Sequence, residues 1–203
     1  MKKIINNPSN FVEESIDGLI KSHPDIYALA KDNGRVITRA KKASNKVGIV
    51  TGGGSGHLPV FTGYVCKCFL DAFAIGAVFA SPSVEQIADT MRAANGGAGV
   101  LRLYGNYGGD VMNFDMAGEM LEMEDIPSTT VLLADDVASA SKEECEKRRG
   151  VAGLVYAYKI AGAAGEARTA AKLGDSVAGK QVSFKASDGS RSRADFVTKD
   201  GVV

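Results

Sequence analysis

The segment from Val47 to Tyr64 constrains the fold of this chain more than any other. It opens on an apolar run, Val47-Gly48-Ile49-Val50, and then meets Gly52, Gly53, Gly54 and Gly56 around Ser55, with His57 directly after. An apolar strand, a glycine turn and then a polar residue is how α/β proteins present a ligand at the carboxyl end of a strand. Glycine lets the backbone turn through positive φ and lets a ligand come close to the amides. The pattern predicts a strand over 47–50, a turn through the glycines, and His57 at the rim, within reach of a small substrate.

The pattern recurs along the chain. Asn10 is placed to cap a helix over Phe11–Ser22, with Phe11, Val12, Ile16, Leu19 and Ile20 on one face. Pro24 ends it and leaves His23 at the exit, a surface position. Residues 27–38 read as a linker with a short extended piece at Val36–Thr38. Ser81 suits an N-cap, Pro82 the first helical position and Glu85 the first turn of a helix carrying Val84, Ile87, Ala88, Met91 and Ala94. Val100–Tyr104 reads as a second strand. It runs into a second glycine turn, Gly105-Asn106-Tyr107-Gly108-Gly109-Asp110, and a helix over Val111–Met123 with Asp110 near its N-cap. Met112, Met116, Met120 and Met123 recur at helical spacing and read as core packing. Thr129–Leu133 is a third strand, followed by Asp135 and Asp136. Helical patterns continue over Glu143–Arg149 and Leu154–Ala164. Strands alternating with helices imply an α/β fold, a mostly parallel sheet flanked by helices. Right-handed crossovers then bring the three polar strand ends to one edge.

Composition narrows the function. Lysine plus arginine equals aspartate plus glutamate, 24 each in 203 residues, so no basic footprint for nucleic acid exists. No apolar run approaches the ~20 residues of a membrane helix. Three cysteines, with Cys66 and Cys68 too close for a framework bridge, point to a reducing, cytoplasmic setting. Neither His23 nor His57 completes a familiar zinc spacing, so no metal site is expected. The glycine turn lacks the lysine of a phosphate loop. Gly53-Gly54-Ser55-Gly56 falls one residue short of the Gly-x-Ser-x-Gly elbow. What remains is His57 and Asp110 on neighbouring glycine turns. This pair suits polyol or ketose chemistry, Asp110 accepting a hydroxyl proton and His57 hydrogen-bonding a carbonyl or hydroxyl. The plainer alternatives are a structural histidine and a helix-capping aspartate.

Five ordered motifs carry a family resemblance: Gly-Gly-Gly-Ser-Gly-His at 52–57, Ser-Pro-Ser at 81–83, Asn-Tyr-Gly-Gly-Asp-Val-Met-Asn-Phe at 106–114, Asp-Asp-Val-Ala at 135–138 and Arg-Arg-Gly-Val-Ala at 148–152. Together they resemble the substrate-binding subunit of the dihydroxyacetone kinase family. The resemblance implies an α/β ketose-binding domain over residues 1–165, a dimeric subunit and a short-chain ketose ligand. It implies contacts from Gly53, Gly54, Ser55 and Asp110, with His57 and Asp110 as the catalytic pair. Phosphate would come from ATP-Mg or the phosphotransferase system, through a separate nucleotide-binding subunit or domain or a phosphotransferase partner, with no cofactor bound by this chain. Tyr104-Gly105 before Asn106 leans toward the members that act on four-carbon erythrulose. The family also tethers the ketone covalently to a second histidine in a later domain, and neither His23 nor His57 stands in that place. A non-catalytic ligand-sensing coactivator or an inactive relative is therefore the alternative. Residues 166–203 depart from the family pattern, and Asp188-Gly189 between alternating runs suggests a small hairpin or an unfolded tail.

Overall fold

The structure is a computed structural model and describes residues 4–30, 33–57, 61–173, 182–185 and 191–194. Its centre is a six-stranded sheet. The strands are β1 (Tyr27–Ala30), β2 (Asn33–Arg39), β3 (Gly48–Gly54), β4 (Ala72–Gly76), β5 (Val100–Gly105) and β6 (Ser128–Leu133), in the order β1-β2-β4-β3-β5-β6. β4, β3, β5 and β6 run parallel, while β1 and β2 pair antiparallel at one side. The helices are α1 (Phe11–Ser22), α2 (Val84–Ala94), α3 (Gly108–Glu122) and α4 (Gly153–Leu173).

The two-residue period of the strands sorts their side chains into two cores. On one face Ile49 of β3, Phe73 and Ile75 of β4 and Leu103 of β5 pack with Val12 and Ile16 of α1 and Leu154, Tyr158 and Ala161 of α4. On the other, Val50, Ala72, Ala74 and Tyr104 pack with Ile87 and Met91 of α2 and Phe114, Ala117 and Leu121 of α3. The parallel α/β sheet covered on both faces is thus as the alternating pattern requires.

Several local expectations are corrected. The turn begins later than expected: β3 continues through Gly54, where Gly53 and Gly54 pair with Ile75 and Gly76 of β4, and of the four glycines only Gly56 lies in the turn, after Ser55. None of Gly52, Gly53, Gly54 and Gly56 has positive φ, a conformation that among the described glycines belongs to Gly97 and Gly99. The expected linker is instead two antiparallel strands, Tyr27–Ala30 and Asn33–Arg39, which extend the sheet and which a single apolar cluster did not announce. The N-cap of α2 is Ser83, not Ser81, because Ser83 and Gln86 close a reciprocal capping box. Met112, Met116 and Met123 lie exposed, at 60%, 50% and 80%. The buried stripe of α3 is instead Phe114, Ala117, Gly118 and Leu121. Over 143–149 the structure has only a short 3-10 turn, Cys145–Lys147. Cys66 and Cys68 are half-buried free thiols, and Cys145 is an exposed one. Helix α4 runs without a break across residue 165, and Val182–Lys185 pairs antiparallel with Arg191–Ala194. The Asp188-Gly189 turn lies outside the described residues. Among the described residues no helix is long and apolar enough to cross a membrane.

At the amino ends of β3 and β4 sits a buried charge network. The Lys46 ammonium donates to both oxygens of Asp71, at 2.8 and 2.7 Å, and Arg39 donates to Asp71 at 2.8 Å and to Glu166 of α4 at 2.6 Å. The Ile49 amide also donates to Asp71, at 2.9 Å. Burial pushes the Glu166 carboxyl up, but the Arg39 hydrogen bond and the Lys46 and Arg39 charges outweigh it and hold the group below the usual carboxylate range. The network is charge-balanced and ties the last helix to the sheet. Breaking a buried pair strands its partner's charge. Lys46→Met is therefore expected to cost on the order of 3 kcal/mol. A urea unfolding curve would show this as a lower midpoint with an unchanged slope. A midpoint equal to wild type would mean that the network contributes nothing.

Candidate functional site

The carboxyl ends of β4, β3 and β5 are neighbours, so the segments leaving Gly76, Gly54 and Gly105 share one edge of the sheet. What brings them together is close approach. A Cβ on Gly76 would lie 2.0 Å from the Ala80 carbonyl oxygen, and one on Gly54 would lie 2.9 Å from the Phe79 backbone. The absent side chains let residues 77–83 fold back onto the strand ends. A Cβ on Gly53 would meet the Phe61 ring at 2.6 Å, and one on Gly52 would meet Pro82 at 3.0 Å and Phe114 at 3.1 Å.

That folded-back loop delivers Ser81. Its hydroxyl donates to Asp110 Oδ1 at 2.5 Å. Asn113, one turn further along α3, donates from Nδ2 to the Pro82 carbonyl at 2.8 Å and to Ser81 Oγ at 3.4 Å. Asp110 is the third residue of α3, behind Gly108 and Gly109, and is half-buried. Beneath the edge, Thr51 Oγ1 and the Tyr158 hydroxyl share a hydrogen bond of 3.1 Å.

His57 leaves β3 by a turn in which its amide donates to the Gly54 carbonyl at 3.4 Å. Its imidazole is exposed and meets Phe79 edge-on, with centroids 5.2 Å apart, and Phe61 at 6.3 Å. It lies close enough for its charge to act on Asp110. The Ser55 hydroxyl is buried and has no hydrogen-bond partner among the described residues. The structure thus brings Gly53, Gly54, Ser55, His57 and Asp110 to one edge of the sheet. Ser81 and Asn113 were not singled out as site residues. Gln86, three residues beyond Ser83, was the signal that Ser83 takes the cap and leaves Ser81 free for Asp110.

The acids after β6 have structural tasks. Asp135 accepts from the amides of Val151, at 2.9 Å, and Gly153, at 2.7 Å, holding the start of α4, and Asp136 accepts from Ala138 at 3.1 Å. Among the described residues no group of three or more His, Cys, Asp or Glu could hold a metal ion.

Burial raises the Asp110 carboxyl above its ordinary range, against the opposing Ser81 hydrogen bond and His57 charge. A carboxyl whose folded pKa lies above its unfolded value makes the fold bind more protons. Stability then falls as pH rises from the unfolded pKa through the folded one. Asp110→Asn is therefore expected to melt higher than wild type at pH 7, with the advantage shrinking as pH falls through the raised folded pKa toward about 4. An advantage that stays constant across that range would contradict the raised pKa.

The Dak1 domain model matches residues 17–189. The chain is 46% identical over 167 residues to the PTS-dependent dihydroxyacetone kinase 1, dihydroxyacetone-binding subunit DhaK, of Listeria innocua, covering 82% of this chain and 50% of that protein. It is 41% identical over 167 residues to the L-erythrulose kinase of Pectobacterium atrosepticum, covering 82% of this chain and 28% of that one. The chain thus spans half or less of the length of these relatives. Among solved structures, the dihydroxyacetone kinase of C. freundii, in complex with AMP-PNP and Mg2+, superposes with a TM-score of 0.75 at 32% identity, over 82% of this chain and 31% of that one. With a family model spanning most of its length and close relatives on either side of the ketose division, this chain belongs to the Dak1 domain family.

Proposed function

We propose that residues 1–165 form the acceptor site of a ketose kinase. They bind dihydroxyacetone or erythrulose and present a terminal hydroxyl for phosphorylation. The observation that carries this reading is the Ser81–Asp110 hydrogen bond of 2.5 Å beside His57, at the carboxyl edge of a parallel sheet. Asp110 accepts the hydroxyl proton as phosphorus bonds to the oxygen. Ser81 holds the carboxylate in place, and His57 donates to the ketose carbonyl or a hydroxyl. Gly53, Gly54 and Ser55 supply a close backbone and a hydroxyl to the bound ketose. The phosphoryl group comes from ATP-Mg or the phosphotransferase system, brought by a nucleotide-binding subunit or domain or by a phosphotransferase partner. A homodimer in the cytoplasm belongs to the same proposal.

Removing a positioned base costs ~10²–10⁴-fold in rate. In a complete kinase built on this sequence, Asp110→Asn is expected to lower turnover by that factor, while saturation-transfer NMR still detects ketose binding. An unchanged turnover number would reduce Asp110 to a helix residue with a hydrogen bond. Absence of ketose binding in the wild-type chain would remove the acceptor reading itself.

A further inference from the structure

We propose that Arg149 receives the phosphoryl oxygens of the ketose phosphate, over the open backbone of Gly108 and Gly109. This rests on the acceptor reading above and adds to it where the incoming group lies.

Arg149 sits on the turn beyond β6, and its backbone is fixed on both sides. Its amide donates to Ser139 Oγ at 2.9 Å, and its carbonyl accepts from the Asp136 amide at 2.9 Å. The guanidinium lies over the Tyr107 ring, 5.2 Å from its centroid, and donates to the Asn106 carbonyl at 3.3 Å. Both anchors belong to the segment that leads into Asp110. The Tyr107 hydroxyl lies within the fields of Arg149, Asp136, Asp135 and Asp110, in decreasing order.

Two further observations bear on this arginine. Arg35, Arg39, Arg92 and Arg102 each face a carboxylate within 4 Å. Arg149 is exposed and has no carboxylate at that range among the described residues. Stacking and one carbonyl hold it without consuming its whole fork of donors. The second observation is steric. The glycines of β3 and β4 are forced by atoms of the chain itself, whereas a Cβ on Gly108 would meet nothing within 4 Å and one on Gly109 would meet only Ser81 Cβ, at 3.7 Å. Neither has positive φ. Among the described residues nothing calls for a missing side chain there, and glycine in a helix costs roughly 0.5–1 kcal/mol relative to alanine. The low surface is open to a group arriving from outside, directly beside Asp110.

The chemistry completes the argument. During transfer the ketose oxygen forms its bond to phosphorus, and the donor's bond to phosphorus breaks with the electron pair leaving on the donor. The hydroxyl proton passes to Asp110. The arriving group is anionic and must settle near Asp110, Asp135 and Asp136. A planar guanidinium matches two phosphoryl oxygens at once and offsets those carboxylates.

The test is a titration of the full chain with dihydroxyacetone and with dihydroxyacetone phosphate, followed by amide and arginine Nε–H NMR signals. Both ligands are expected to shift Gly53, Gly54 and Asp110. Only the ester is expected to shift Gly108, Gly109 and the Arg149 Nε–H as well, binding about tenfold tighter than the ketose. Arg149→Gln is expected to erase that gain and leave ketose affinity unchanged, with Arg149→Lys intermediate. Ketose binding with no gain for the ester, or a gain that survives Arg149→Gln, overturns this proposal and leaves the acceptor reading standing. Failure of both ligands to bind overturns the two together.

Discussion

The carboxyl edge depends on how closely residues 77–83 can lie on the ends of β3 and β4. That approach is steric before it is chemical. The Ala80 carbonyl occupies the space a side chain on Gly76 would need, and the Phe79 backbone occupies that of Gly54. A methyl at either place would lift the loop, and overpacking a tight contact of this kind costs typically ~1–3 kcal/mol. The loop in turn carries Ser81 to Asp110 and Pro82 to Gly52 and Asn113. A few missing Cβ atoms thus set the position of the proposed base, though none of them touches it.

The opposite end of the sheet is built on another principle. There Arg39, Lys46, Asp71 and Glu166 neutralise one another in a largely buried network. Burying charge is expensive, and a well-packed apolar cluster serves stability as well or better. What the network adds is direction, since Glu166 can meet both cations only if α4 lies along one line across the sheet. The same helix brings Tyr158 beneath the edge, where it meets Thr51. Ionic anchoring at one end therefore fixes the floor at the other.

Much of this was legible in the sequence. Helix α1 matches its apolar stripe, and β5 and β6 fall where apolar runs stop at glycine or acid. The order of elements was enough to place His57 and Asp110 on one edge. What escaped was set by contacts distant in the chain. Gly52, Gly53 and Gly54 look like a turn because glycine is common in turns, yet they are strand residues pressed by Pro82, Phe61 and Phe79. The methionines of α3 share a face by spacing, but periodicity does not say which face is inside. Phe114 decides that by stacking on Tyr104, with centroids 4.0 Å apart. Ser81 and Ser83 are equal candidates for a cap until Gln86 selects one.

Asp110 shows how the edge balances opposed effects. The first turn of a helix is electrostatically welcoming to a carboxylate, and such positions ordinarily favour the charged form. Ser81 and His57 favour it as well. Burial nonetheless outweighs them, and the carboxyl rises. A weaker acid is a stronger base, and catalytic proton transfer is most effective when the pKa lies near the working pH. Under the proposed function, Ser81 holds the base in one geometry and burial raises its pKa. A plain helix cap needs neither, because solvent exposure and the helix amides are enough to stabilise it.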